Sequence, residues 1–123
     1  MRIYRRAAFM EIPAGTLYSK GKPHYFEGLH IKGDTINHEG RNIDFGQRDL
    51  VSFEFANTDE FIQRWEEMIE SGASYPMEDC YGRDGCFDDE DLFLVWERAD
   101  LEEMQRVMAA AIAVCPTPPD GKE

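Results

Sequence analysis

The chain has 123 residues, of which 42% are hydrophobic, and this size and composition predict one domain with a single apolar core. Its 25 acidic and 13 basic residues give a formal net charge of −12. That charge argues against a nucleic-acid-binding surface, because such affinity rests mainly on Lys and Arg side chains that neutralise phosphates. A second interpretation of the acidity is a surface that mimics DNA to a basic protein partner.

Short strands separated by turns are predicted in the N-terminal half. The segment RAAFMEI, which starts at Arg6, predicts one or two helical turns. Pro13 ends them, because the residue before a proline is disfavoured in the helical region. Strands are expected over residues 16–20, 24–31, 41–45 and 50–55, with glycine- or proline-containing turns between most of them.

Two helices are predicted in the C-terminal half. Asn57 followed by Glu60 is typical of a helix N-terminus, and apolar residues then recur at helical spacing, which predicts a helix over residues 58–70. A similar pattern that starts at Asp100 predicts a second helix over residues 100–114.

The apolar run LFLVW at residues 92–96 predicts a strand that is buried on both faces. The expected fold class is therefore α+β, with an antiparallel sheet from the N-terminal half packed with the two C-terminal helices. One domain is expected over residues 1–115, followed by a flexible Pro-rich tail at residues 116–123.

The long segment at residues 71–91 is predicted to be a loop, and loops of this length in compact domains are usually either functional or disordered. The aromatic side chains of this segment can pack, which suggests that the loop is ordered. Tyr75 and Tyr81 offer flat surfaces for a purine, and Arg83 can pair with a phosphate. Asp84 can accept ribose hydroxyls. The alternative is that the tyrosines only pack this loop against the core.

Metal and catalytic motifs find little support in the sequence. An EF-hand register with Gly85 at its sixth position puts Cys80 and Gly82 where oxygen ligands are needed, which leaves only a nonspecific cation as an alternative. The three cysteines form no disulfide framework and have no familiar zinc spacing with the histidines. No nucleophile elbow, Walker loop, dinucleotide fingerprint or HExxH is present. We predict no metal, no cofactor and no catalytic residue, with an acid–base pair from Asp84, Asp88 and a histidine as the alternative.

The N-terminal arginines Arg2, Arg5 and Arg6 are a second candidate contact for phosphate, and pairing with the acidic surface is the alternative. Phe9 is either a ligand contact or a core residue.

No apolar segment follows these arginines, and no run approaches the roughly 18 apolar residues needed to cross a bilayer. A cytoplasmic, reduced protein without a membrane partner is expected.

The runs YRRAAFMEIPAGTLYSKGKP and ASYPMEDCYGRDGCFDDEDLFLVWERADLEEM resemble small phage and prophage proteins. Their layout, over most of residues 1–114, is similar to that of the Thoeris anti-defence sponge family. The resemblance implies a homo-oligomer, either a dimer or a dimer-based hexamer, that sequesters a cyclic ADP-ribose isomer made by bacterial TIR immune proteins without cleaving it. Some members also bind cyclic oligonucleotides.

Such a site implies aromatic stacking, arginine contacts to phosphate and a pocket completed by a second subunit. The residues of the right type are Tyr75, Tyr81, Arg83, Asp84, Phe9, Arg6 and Arg106. Two other functions stay open from the sequence. One is an acidic inhibitor of a host nucleic-acid-binding defence complex, and the other is a hydrolase that acts on the same kind of signal.

Overall fold

A computed structural model describes residues 1–78 and 80–117 of the chain. Its elements are β1 (Arg2–Arg5), α1 (Arg6–Met10), β2 (Leu17–Gly21), β3 (Phe26–His38), β4 (Arg41–Asp49), α2 (Thr58–Glu70), β5 (Cys80–Arg83), β6 (Leu92–Val95) and α3 (Arg98–Ala113). The six strands form one antiparallel sheet in the order β1-β6-β2-β3-β4-β5. The predicted α+β class is confirmed. The predicted tail lies, from Pro118 onward, outside the described residues.

The core lies between α1 and one face of the sheet. The ring of Phe9 stacks on that of Phe93 at 4.2 Å between centroids and meets Tyr18 at 4.7 Å and Phe45 at 5.1 Å. These rings come from α1 and from strands β2, β4 and β6, so one short helix ties three strands together. Aromatic pairs of this kind add stability beyond the area that they bury.

The predicted strand at 24–31 is too short, because β3 continues to His38 through residues that predict a turn. Gly33 does not form a turn. It lets β3 and β4 approach each other closely, because a Cβ atom there would lie 3.0 Å from the backbone of Gly46 on β4. The pairing of the two strands shifts register in this region, which lets both strands extend.

The predicted strand at 50–55 is wrong, since none of these residues belongs to a strand, although the Leu50 amide still donates to the Leu29 carbonyl of β3 at 2.9 Å. Phe53 and Phe55 pack instead against Phe61 of α2, with ring centroids 4.9 Å and 5.0 Å away. The alternating pattern therefore reflects rings that share a small cluster beside α2.

The segment 71–91 is not loop throughout, because β5 lies inside it. β5 pairs with β4 and forms one edge of the sheet. β5 and β6 both come from the C-terminal half, so the sheet draws on more of the chain than its N-terminal half.

The helix predictions are close to the observed bounds. α2 covers the predicted 58–70, and the Asn57 side chain accepts a hydrogen bond from the Glu60 amide at 2.9 Å. α3 begins two residues before the predicted Asp100, because Glu97 and Asp100 form a capping box around its first turn. No residue of α2 or α3 is buried in the described chain. None of the described helices is long and apolar enough to cross a bilayer.

Candidate functional site

Three of the predicted ligand residues belong to an ion network that joins α1, β4 and the end of β5. Arg6 is 2% exposed, and its guanidinium donates to Asp84 at 2.6 Å and to Asp44 at 3.3 Å. Arg83 also donates to Asp44, through Nε at 3.0 Å. Lys20 Nζ lies 3.6 Å from Asp84. Arg6 and Asp84 therefore position the chain after β5.

Asp44 is the acceptor at the centre of this network. Burial acts to raise the pKa of its carboxyl group. Hydrogen bonds from the amides of Phe45 and Gly85 and from Arg83 outweigh that effect, so the pKa lies below its ordinary value of 3.8. Asp44 stays ionised at neutral pH and neutralises charge from both arginines.

The other predicted residues lie apart from this network and from one another. Phe9 is 0% exposed, which places it in the core. The hydroxyl of Tyr75 donates to Glu67, a bond that raises the pKa of this tyrosine, and its ring faces Arg64 of α2. Arg106 pairs with Glu103 on the surface of α3. The seven predicted residues are thus not gathered into one pocket.

Tyr81 alone of the seven lines a cleft on the sheet face away from α1. The cleft has a volume of about 440 Å³, within the range of roughly 300–1,000 Å³ that is typical of small-molecule sites. Its lining residues are Ile31, Lys32, Gly33, Asp34, Ile36, Gly46, Gln47, Arg48, Tyr81 and Gly82.

The floor of the cleft is largely backbone. Gly33 on β3 and Gly46 on β4 both line the cleft and face each other across the strand pair, close enough that a Cβ atom on Gly33 would lie 3.0 Å from the Gly46 backbone. Adjacent strands with paired glycines let a flat group approach the sheet closely.

One wall of the cleft is a row of side chains across three strands. In the sheet register, Ile31 is opposite Arg48 and Arg48 is opposite Tyr81, so the three lie on the same face. The Arg48 guanidinium lies 5.7 Å from the centroid of the Tyr81 ring. Tyr81 is 78% exposed, which leaves most of its surface available to a ligand.

Lys32 also lines the cleft, but its ammonium group lies toward the core, 5.8 Å from the centroid of the Phe45 ring. Lys32 is buried, its Nζ donates to Thr35 at 2.7 Å, and burial lowers its pKa. Arg48 is therefore the cationic side chain on the wall. Asp34 adds a carboxylate to the lining.

The arrangement suits a ligand with a flat ring and an anionic group. Tyr81 and the isoleucines offer apolar and aromatic contact, and Arg48 offers a planar donor group for a phosphate or carboxylate. Among the ten described lining residues, none is Ser, Thr, Cys or His, so the lining lacks a nucleophile paired with a histidine base. In residues 1–78 and 80–117, no group of three or more His, Cys, Asp or Glu side chains is placed to hold a metal ion.

Sequence analysis found Tyr81 but missed Arg48 and the two facing glycines. The signal was present in RNIDFGQRD, where Phe45 and Gln47 alternate with Gly46 and Arg48. Ending the predicted strand at residue 45 hid that alternation, because residues beyond a strand end have no assigned face.

Comparisons of the chain with protein-family models, with curated proteins and with solved structures each find no match.

Proposed function

We propose that this chain is a non-enzymatic binding protein that holds a small nucleotide in the cleft beside Tyr81 and Arg48. The observation that carries the proposal is the row of Ile31, Arg48 and Tyr81 above a floor of two facing glycines. A base can stack on the exposed ring, while the arginine pairs with phosphate.

The sequence resemblance favours one kind of nucleotide, a bacterial immune signal. On this proposal the chain is a phage-type protein that captures the signal in the host cytoplasm. The cargo would be a cyclic ADP-ribose isomer or a cyclic oligonucleotide, held intact. Such a protein needs affinity and slow release more than chemistry. None of the described lining residues is Ser, Thr, Cys or His, which argues against a hydroxyl or thiol nucleophile activated by a histidine in this lining.

The site proposed here is smaller than the set of residues that the sequence suggested. Tyr81 stays in it and Arg48 joins it. Arg83 lies two residues further along the same edge strand, but its bond to Asp44 makes it a poor test residue, since its loss also removes a partner of a buried carboxylate.

The first experiment is native mass spectrometry of the protein with cyclic nucleotides and cyclic ADP-ribose isomers, followed by denaturation to recover the ligand. We expect an adduct at a fixed ratio per chain that is released with its mass unchanged. Recovery of a cleaved product would assign a hydrolase instead. A ligand that binds only the native state must also raise the melting temperature. No adduct and no thermal shift across the panel, at ligand concentrations near 1 mM, would therefore contradict the proposal.

The second experiment measures affinity of the recovered ligand by calorimetry for two variants with matched controls. Arg48→Met removes the guanidinium from the cleft. We expect the affinity for the ligand to fall by roughly 10- to 100-fold, because hydrogen bonds to charged groups contribute about 1.5–3 kcal/mol. Tyr81→Ala removes the stacking ring, and Tyr81→Phe retains it and should bind like the parent.

The control for Arg48→Met is Arg41→Met, which removes the same charge from the exposed start of β4, outside the cleft lining. Tyr25→Ala, another exposed tyrosine outside this lining, is the control for Tyr81→Ala. Equal losses in the variants and their controls would move the site away from this cleft.

A further inference from the structure

α2 carries apolar side chains on two faces, and its contacts within the chain are made by one of them. On the inner face, the ring of Phe61 stacks on that of Phe53 with centroids 4.9 Å apart. Arg64 and Glu67, on the same side of the helix, contact the ring and the hydroxyl of Tyr75. These contacts fix which side of α2 faces outward.

The outward face carries a second apolar row, made of Ile62, Trp65 and Ile69, which we call the outer stripe. Its side chains are 48%, 55% and 69% exposed, so the described part of the chain leaves the stripe largely uncovered. At about 3.6 residues per turn, the three side chains lie within roughly 60° of one another around the helix axis. A helix with such a row normally packs it against another element.

A row of carboxylates borders the outer stripe on one side. This acid row consists of Asp59, Glu66 and Glu70, which are exposed and follow Ile62 and Ile69 around the helix. No ion pair among residues 1–78 and 80–117 involves any of the three. Glu66 and Glu70 are four residues apart, a spacing at which like charges repel. A cationic group beside the stripe would therefore be attracted to this row.

We propose that the outer stripe binds a basic amphipathic helix of another protein. Such a helix lays apolar side chains, spaced three, four and seven residues apart, along the stripe. Its Lys or Arg side chains on one flank then oppose the acid row, at the four-residue spacing of Glu66 and Glu70. Trp65 is the expected anchor at the centre, since tryptophan is enriched among the residues that dominate the energy of protein interfaces.

Charge favours this partner over a second copy of the chain and over an anionic membrane. A second copy brings a net charge of −12, and an antiparallel pair of outer stripes would place both acid rows on the same side. Helices that lie on anionic membranes carry Lys and Arg on their polar face. α2 instead carries five acidic residues and one arginine.

The outer stripe distinguishes this partner from one that recognises acidity alone. A protein that binds the chain as a DNA mimic depends on long-range attraction, which added salt screens. Apolar contact with the stripe is not screened in this way. The stripe is also separate from the proposed nucleotide site, because none of its three residues lines the cleft beside Tyr81.

The test is fluorescence anisotropy with a labelled synthetic helix of about 14 residues, made of Leu, Lys and Ala, with leucines at helical spacing and lysines along one flank. We expect saturable binding with a dissociation constant of about 1–100 µM, because two turns of helix bury less area than a standard interface. One matched peptide has Glu in place of Lys, and another has the same composition without the helical spacing. Both should bind at least about 10-fold more weakly.

Variants of the stripe locate the binding. Trp65→Ala should lower the affinity by about 30-fold or more, the size of a dominant interface residue, and Ile69→Gln by about 10-fold. Ile112→Gln makes the same change on α3, where the side chain is 76% exposed, and should bind like the parent. Circular dichroism should show the parent helix content, since these side chains are exposed. If Trp65→Ala did not fold, the two isoleucine variants would still decide the question.

Variants of the acid row test the charge. Glu66→Gln combined with Glu70→Gln should weaken binding by about 2- to 10-fold at about 50 mM salt and have little effect at about 500 mM, because exposed ion pairs are weak and are screened. The control combines Glu102→Gln with Glu103→Gln, which makes the same change of charge on α3. It should leave the affinity unchanged.

Equal binding of the three peptides, or equal losses in the stripe variants and their α3 controls, would overturn the proposal. So would self-association of the chain in sedimentation that Ile69→Gln abolishes, since the stripe would then belong to a second copy. Flotation with anionic phospholipid vesicles that Trp65→Ala abolishes would assign the stripe to a lipid surface instead. Because no nucleotide enters the test, its result is independent of the proposed nucleotide site.

Discussion

Arg6 occupies a position where a charged side chain is tolerated only because two carboxylates surround it. Its guanidinium contacts Asp44 and Asp84, which are themselves almost completely buried. A buried ion pair is not a strong source of stability in itself, but the loss of one partner leaves an uncompensated charge in the interior. The network fixes the chain after β5 against α1 and β4, and with it the edge of the sheet that carries Tyr81.

Replacement of Arg6 by methionine should therefore be strongly destabilising. We expect Arg6→Met to lower the free energy of unfolding by about 3–5 kcal/mol, because it leaves Asp44 and Asp84 without their shared partner. Urea denaturation followed by circular dichroism measures this change.

The matched control is Arg5→Met, one residue earlier, whose side chain is exposed and pairs with Glu90 on the surface. Exposed pairs contribute about 0–1 kcal/mol. A similar small effect at Arg6 would mean that the buried network does not form in solution.

Asp44 should make the stability of the protein depend on pH in the acid range. The pKa of its carboxyl group is lower in the folded chain than its ordinary value of 3.8. Its contribution to stability is therefore fully present above that value and is lost as the pH falls through the folded pKa.

This dependence is measured from urea midpoints between about pH 6 and pH 3, a window that starts above the ordinary pKa of the carboxyl group and ends below it. Asp44→Asn should show a shallower decline of stability in acid than the parent, whatever its stability at neutral pH. The same slope in both proteins would mean that the Asp44 carboxyl does not have a lowered pKa.

The pairing of β3 with β4 creates the cleft, because two glycines meet across these strands. A Cβ atom on Gly46 would lie 3.5 Å from Gly33, an ordinary contact, whereas one on Gly33 would lie 3.0 Å from the Gly46 backbone. Gly46 is therefore the position at which the floor can be raised by one methyl group without displacing the strands.

Gly46→Ala should weaken nucleotide binding several-fold while leaving the melting temperature of the free protein nearly unchanged, because a glycine-to-alanine change at a compatible position costs little. Calorimetry and thermal unfolding test the two parts. Gly82→Ala is the control: the Gly82 backbone also lines the cleft, and the change adds the same methyl group on the neighbouring strand, where nothing lies within 4 Å. Its position opposite Gln47 places that methyl group on the other face of the sheet.

α2 and the strands differ in how well their bounds could be predicted. The start of α2 depends on Asn57 and Glu60, which are three residues apart and contact each other in the structure. The extent of β3 depends instead on its pairing with β4. The strand conformation of residues 80–83 likewise depends on pairing with Asp49 and its neighbours on β4. Local caps can be seen in a short window of sequence, whereas strand partners cannot.

The strong net negative charge should keep the protein off nucleic acids. At about 150 mM salt, where exposed charges are screened beyond roughly 8 Å, we expect no binding to duplex DNA in fluorescence anisotropy, since few phosphates can be neutralised. Salt-sensitive DNA binding would contradict this and would point to a basic patch that outweighs the overall charge.

The same charge gives the acidic-inhibitor hypothesis its own signature. Capture of a basic host protein by an acidic surface should weaken steeply with added salt, because such association is driven by long-range attraction. The affinity for a nucleotide that stacks on Tyr81 should change less with added salt, since salt does not screen stacking. Pull-down of a basic protein whose affinity falls steeply with salt would favour that alternative.

Composition and local pattern were sufficient to predict the α+β class, both long helices, the buried strand β6 and the acidic surface. Each of these follows from neighbouring residues, because caps, helical periodicity and apolar runs are short-range properties. The same patterns identified Tyr81 as a candidate ligand residue.

Tertiary structure decided where the other candidate ligand residues lie and what they contact. Arg6, Asp84 and Phe9 became interior residues, and Arg48 joined Tyr81 at the cleft. These outcomes depend on strand register and on contacts such as Arg6 with Asp84, 78 residues apart. A side chain's type shows which interactions it can make. Its burial and its partner depend on distant parts of the chain, which only the folded arrangement brings together.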